Sequence, residues 1–184
     1  MEILLETKRL ILRQWEESDR RPFFEMNSDP DVMKYFPSPL SRKDSDKFFE
    51  KLLLLIEKQG FGLYPTVLKE TGQFIGFIGL NEATFKASFT PCIEIGWRLH
   101  KDYWKKGFAT EGAMEVLKFG FQKLGKKEIL SFTSKLNNPS IKVMEKLGMH
   151  KVDEFEHPNI EEGHPLRNHV LYKIHSSNRF KVFK

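Results

Sequence analysis

CIEIGWRLHKDYWKKGFATEGA, residues 92–113, changes its periodicity part-way through. Ile93, Ile95, Trp97 and Leu99 alternate as in a strand; after Gly107, residues Ala109, Ala113, Val116, Leu117 and Phe121 share one helical face until Gly125 ends the run. A strand that feeds a Gly/Ala-containing loop opening directly into a helix suits an anion. The first-turn N–H groups have no internal acceptors and sit at the positive end of the helix dipole. Gly107 and Ala109 place little side chain at the points of close approach, and Lys105 and Lys106 either screen a pyrophosphate or face solvent. A glycine before a helix is also an ordinary turn, so this stretch alone leaves both readings open.

Around this unit the pattern is mixed. Thr7 to Arg13 reads as a strand around Leu10 and Leu12. Ser18 with Asp19 offers an N-cap for a short helix through Phe23, Phe24 and Met26, broken at Asp29-Pro30. A second helix is predicted from near Ser41 to about Gln59, stopped by Gly60. Strands follow at Gly62 to Leu68, Phe74 to Glu82 and Ile93 to Leu99, an antiparallel meander. Beyond the helix after Gly107 come a strand from Glu128 to Thr133, a helix from Ser140 to Leu147 ending at Gly148, and a last strand from Val170 to Ile174. The order predicts an α/β (α+β) domain around one sheet, a single unit over 1–184 with its core at about 7–175 and a basic tail at 176–184.

Composition narrows the function classes. The 184 residues, 40% apolar and 30% charged, suit one globular core. The apolar run Leu52 to Ile56 is far short of the roughly 20 residues of a membrane span. The acidic Glu2 and Glu6 do not resemble a secretory signal, and a lone Cys92 fits a reducing cytoplasm. A net charge of +5 favours anionic partners, but the lysines are dispersed, which describes a solvated surface better than a nucleic-acid patch. Trp97, Trp104 and Phe108 read as core rather than a base-stacking surface. His157, His164 and His169 lack metal-ligand spacing and read as surface or loop residues; no metal is expected.

The string Tyr103-Trp104-Lys105-Lys106-Gly107-Phe108-Ala109-Thr110-Glu111 resembles the coenzyme A pyrophosphate loop of the GCN5-related N-acetyltransferases, the GNAT superfamily, and specifically its RimJ/RimL-like branch, which acetylates ribosomal-protein N-termini. Gly107 and Ala109 match the family pattern Gln/Arg-x-x-Gly-x-Gly/Ala, with Trp104 in the Gln/Arg position. The likeness extends to TKRLILRQW, DPDVMKYFP, GFIGLNE, EIGW and NNPSIKVMEKLGM, nearly the whole chain. It implies the GNAT fold, a mixed, mostly antiparallel sheet flanked by helices, and acetyl transfer from acetyl-CoA to a primary amine in the cytoplasm. The acceptor would be a protein N-terminus or a small amine such as a polyamine or amino-sugar antibiotic. A homodimer is left open, as is a non-catalytic acyl-CoA-binding module.

The resemblance also implies roles. Trp104 to Thr110, that is Trp104, Lys105, Lys106, Gly107, Phe108, Ala109 and Thr110, would hold the pyrophosphate. Backbone amides at Gly96, Trp97 and Arg98 would meet the acetyl group, and Asn137 and Ser140 would lie near the pantetheine arm unless they merely cap a helix. Where many members place a tyrosine acid this chain has Met144, which leaves Ser140 as the thiolate's proton donor. For the base, Glu94 stands in an otherwise apolar strand, where burial would raise its pKa, or else alternates outward with Arg98 into solvent or a surface ion pair. Glu82 is the second candidate, and both could instead bind a cationic acceptor. Phe36, Pro37 and Glu161-Glu162 are candidates for the acceptor side. A covalent route through Cys92 has no paired base to support it.

Overall fold

The computed structural model describes residues 3–178. The tail from Arg179 to Lys184 lies outside them. The strands β1 (Ile3–Glu6), β2 (Leu10–Arg13), β3 (Leu63–Leu68), β4 (Phe74–Ala83), β5 (Cys92–Leu99), β6 (Glu128–Ser134), β7 (His150–Glu156) and β8 (Asn168–His175) form one sheet in the order β1-β2-β3-β4-β5-β6-β8-β7. Every neighbouring pair is antiparallel except β5 with β6. The helices are α1 (Arg20–Ser28), α2 (Arg42–Gln59), α3 (Phe108–Gln122) and α4 (Asn138–Lys146).

Strand β4, whose pairing with β3 shifts register between Gly76 and Phe74 so that Ile75 joins the face of Ile78 and Leu80, builds two cores, one on each face. Ile75, Ile78 and Leu80 join Phe108, Val116, Leu117 and Phe121 of α3 and Met144 of α4. Phe77 joins Trp15, Phe23 and Met26 with Phe49 and Leu52 of α2. Met144, 1% exposed, is thus a core residue. Ser41 caps α2 by accepting the Asp44 N–H at 3.1 Å, and Gly60, in left-handed backbone at φ 74°, ends it.

Four sequence expectations are corrected. Thr7 to Arg13 is not one strand: β1 pairs with β2 as a hairpin, and the first tight turn is held by the Thr7 hydroxyl accepting the Leu10 N–H. Asp19 does not cap α1; its carboxylate is buried against the Arg13 guanidinium at 2.6 and 2.7 Å and accepts the Glu16 N–H, closing a short 3-10 turn ahead of the helix. Helix α4 starts two residues before Ser140, with Pro139 in its first turn, where a missing N–H costs nothing. Strand β7 was not anticipated, because nearly all of its side chains are exposed and it lacks an apolar alternation.

Candidate active site

Between β5 and β6 the sheet opens. The two parallel strands share one register pair, Glu94 with Leu130, and one residue further the Ser131 hydroxyl, rather than a backbone amide, donates to the Ile95 carbonyl at 3.0 Å. Backbone polar groups alternate sides along a strand, so with Ile95 turned toward β6 the amide of Trp97 also faces the gap, while those of Gly96 and Arg98 turn to β4. Consistently, the His100 N–H bonds across to Ile75 of β4, and the Leu99 carbonyl accepts the Trp104 indole N–H at 2.8 Å. Of the three expected amides, Trp97 therefore supplies the donor facing the gap.

Side chains alternate the other way. Ile93, Ile95, Trp97 and Leu99 pack toward α3. Glu94, Gly96 and Arg98 share the opposite face with Asn81 and Phe77, their cross-strand neighbours. The Glu94 carboxyl is enclosed and pushed up to about 7 by burial, against the opposing pull of a hydrogen bond from Asn81. No cation pairs with it among the described residues. The outward, solvated alternative for Glu94 and Arg98 is not what forms. Glu82 sits opposite Ile93, hence on the other face of the sheet, and is exposed. Glu94 and Glu82 cannot serve one acceptor together.

The loop between β5 and α3 runs through a 3-10 turn at Lys101–Tyr103 into left-handed backbone at Lys105 (φ 60°) and Gly107 (φ 81°). Left-handed residues alternating with others wind N–H groups into a concave anion nest. The N–H of Glu111 bonds to the Gly107 carbonyl, whereas those of Phe108, Ala109 and Thr110 precede the first intrahelical bond, and no side chain caps them. Three free donors, the positive end of a 15-residue helix, and exposed Lys105 and Lys106 are a fit for a pyrophosphate. Phe108 is buried, and Trp97 is half-buried against the core, so with Trp104 they form no continuous stacking surface.

One part of this site escaped sequence reasoning. Glu111, in the first turn of α3, accepts the Thr7 hydroxyl at 2.6 Å, the Arg9 N–H at 2.8 Å and the Arg9 Nε at 2.7 Å. Burial opposes its charge, but these bonds from Thr7 and Arg9 hold its carboxyl below the usual range. The Arg9 guanidinium then lies over the Phe108 ring, 4.3 Å from its centroid, and 3.4 Å from where a Gly107 Cβ would stand. The β1–β2 hairpin is thereby strapped to the nest and adds a third cation to its rim. Its partners are about a hundred positions apart; TKRL at one end and ATEG at the other were legible only as separate fragments.

Asn137 caps α4 by accepting the Ser140 N–H at 3.3 Å and donates to the Thr133 hydroxyl at 3.0 Å, so the capping reading is realised. The half-buried Ser140 hydroxyl makes no hydrogen bond to protein among the described residues. Helix α4 packs on β6 and α3, so it lies on the α3 face of the sheet, opposite the face that carries Glu94. Burial pushes the Cys92 thiol up to about 11, aided by the nearby charges of Glu94 and Glu128, which removes the nucleophile a covalent route needs. His169 is buried in β8, where the surface-or-loop expectation fails, while His157 lies half-buried in the loop after β7, their rings 5.0 Å apart among Phe85, Phe132 and Phe155. Desolvation lowers both, His157 to about 4, which keeps them neutral. No cluster of three metal-ligating side chains occurs among the described residues, and no helix there is long and apolar enough to cross a membrane.

Residues 9–150 match the family described as the acetyltransferase (GNAT) domain. The chain belongs to this GNAT family. The GNAT chain is 31% identical over 152 residues to an uncharacterised N-acetyltransferase of Bacillus subtilis, YnaD, covering 82% of this chain and 84% of that protein. Its structure superposes on the GNAT-family acetyltransferase of Bacillus anthracis with a TM-score of 0.78 at 29% identity, over 94% of this chain and 98% of that one. The fold is also that of the spermidine N-acetyltransferase of Vibrio cholerae, solved with CoA and spermine, at TM-score 0.74, 19% identity and coverage of 93% and 98%. As a GNAT acetyltransferase it uses acetyl-CoA as co-substrate.

Proposed function

We propose that this GNAT acetyltransferase, acting as a single domain, transfers acetyl from acetyl-CoA directly to a primary amine. The observation that carries the reading is the β5–β6 gap, with the Trp97 amide on its edge and an enclosed Glu94 beside it. The nest from Trp104 to Thr110 would hold the pyrophosphate, and the thioester would lie in the gap. Glu94, directly or through a water, removes a proton from the acceptor ammonium, and the neutral nitrogen attacks the thioester carbonyl. The Trp97 N–H stabilises the oxygen as it gains charge. The C–S bond then breaks, and the proton that the attacking nitrogen must still lose passes through the Ser140 hydroxyl to the departing thiolate, so that the hydroxyl ends as it began. Glu82, on the wrong face, is left without a part in this scheme.

For the acceptor, resemblance to the RimJ/RimL-like branch favours a protein N-terminal α-amine, and the fold shared with a spermidine acetyltransferase keeps a polyamine as the second reading. Thiol release from acetyl-CoA is the assay, run with peptides having free N-termini, polyamines and amino sugars. The expected result is amine-dependent release with one acetyl added per thiol. Tight CoA binding without release on any amine would instead make the protein an acyl-CoA-responsive module.

The Glu111 strap gives a test of the donor site that leaves the loop sequence intact. Glu111→Gln keeps the size but loses the charged bond to Arg9, worth about 1–2 kcal/mol. Acetyl-CoA binding by calorimetry is expected to weaken about 5- to 30-fold. A Kd within about twofold of wild type would show that hairpin and nest act independently.

A further inference from the structure

Arg98 is a half-buried cation with a fully buried Nε and no anion beside it. Its guanidinium is packed by the rings of Phe36, Phe48 and Phe77, at 3.9, 5.8 and 5.4 Å from their centroids. Its one side-chain partner is a neutral oxygen, the Asn27 Oδ1 on α1. The buried Arg98 Nε and Asn27 Nδ2 donate to nothing. No carboxylate among the described residues stands in ion-pair range of it, in contrast to Arg13, whose buried guanidinium is matched by Asp19. Desolvation alone pulls the Arg98 pKa down to about 9. An arginine kept in this state, at the cost of two unmade hydrogen bonds, is incomplete without a ligand.

Its position says what the ligand reaches. Arg98 shares a face of β5 with Glu94, and between them stands Gly96, where a Cβ would meet only the tip of Leu63 at 3.8 Å. With a strand rise of about 3.3 Å per residue, the two Cα atoms lie about 13 Å apart. Arg98 keeps part of its surface open, and Phe36, 37% exposed, lies across it at the rim. One trough therefore has a proton acceptor at one end, a bare glycine floor beside the Trp97 amide, and an unpaired guanidinium at the other end.

We infer that Arg98 is an acceptor-binding residue, and that the acceptor amine carries a carboxylate, which pairs with the Arg98 fork while its nitrogen stands at Glu94. This rests on the amine-acetylation reading and specifies its substrate class. The same chemistry comes from a free amino acid or from an acidic residue at a peptide N-terminus. A polycation, by contrast, would bring positive charge against Arg98.

The test compares acids with their amides. Wild type with saturating acetyl-CoA is given amino acids from glycine to γ-aminobutyrate, the matching amino-acid amides, dipeptides starting with aspartate or asparagine, and spermidine. Thiol release is expected to favour the acids over their amides in kcat/KM by about tenfold or more, since a charge-paired bond is exchanged for a neutral one. Arg98→Gln is expected to erase that ratio by raising KM for the acids alone, with Arg98→Lys recovering part of it. The free acids, or the aspartyl dipeptides alone, identify the source. Thermal shift of CoA-saturated protein with N-acetylated acids against N-acetylated amides gives the same comparison without turnover. Equal response to acid and amide, or preference for spermidine, overturns the inference while leaving acetyl transfer standing; absence of CoA binding would sink the acetyltransferase reading instead.

Discussion

Glu94→Gln is expected to lower acetyl transfer by about 10²- to 10⁴-fold above pH 7.5, the range for loss of a positioned base. The loss should shrink as the pH falls. Burial pushes the Glu94 carboxyl up to about 7, so in the wild type the base is protonated and idle at pH 6 and ionised at pH 8. The wild-type kcat/KM should therefore climb with pH and bend near 7, and the variant's profile should lack that bend. Stability moves in the opposite sense. A carboxyl whose folded pKa lies above its unfolded value takes up a proton on folding, so it opposes the folded state increasingly as pH rises from about 4.5 to about 7. Removing the charge relieves that penalty, at most about 3 kcal/mol by linkage. The variant should melt no lower than wild type at pH 8. A slow but stable protein with a flat profile would identify a base; an unchanged profile would assign proton removal to water, because Glu82 stands on the other face of the sheet.

The parts of this site that were legible in the sequence are those written in consecutive residues. Trp104 to Glu111 contains its own strand exit, left-handed glycine and helix start, so loop and function could be read together. Glu94 was legible for a similar local reason: a lone carboxylate among Ile93, Ile95 and Trp97 must either turn to solvent or be enclosed, and the face it shares with Phe77 decided the matter. Sequence alone could not make that decision. Arg98 illustrates the limit, since an arginine four residues from a glutamate reads as its surface partner, yet the two lie along one trough about 13 Å apart. Pairings across the fold were silent altogether. Nothing local in Thr7, Arg9 or Glu111 announces that they meet, and Ser131 looks like any small strand residue until β5 and β6 separate around it. The same reason hid β7: its side chains face solvent, and its partner β8 is recognisable only in space.

Gly107→Glu should abolish the donor site. At Gly107 the backbone is left-handed, and the free N–H groups of α3 open immediately after it, so a glutamate there would place a carboxylate where the pyrophosphate is to sit. For wild type at acetyl-CoA about 100-fold above Kd, binding contributes about 2.7 kcal/mol, which for a chain of this size corresponds to a rise in Tm of about 5–10 °C. The variant should show no rise and no turnover. Strain is a competing cause, because a side chain at φ 81° is disfavoured whatever its charge. Gly107→Asn separates the two, since asparagine tolerates left-handed backbone and is neutral. Its added Cβ would meet only the Arg9 guanidinium, at 3.4 Å. The asparagine variant is expected to keep most of the thermal shift and the glutamate variant none, while the lower melting temperature of the glutamate variant in the absence of acetyl-CoA reports the backbone strain separately. Were the glutamate variant to retain the wild-type shift, the coenzyme would have to be held elsewhere, and the alignment of the nest with the β5–β6 gap would lose its chemical meaning.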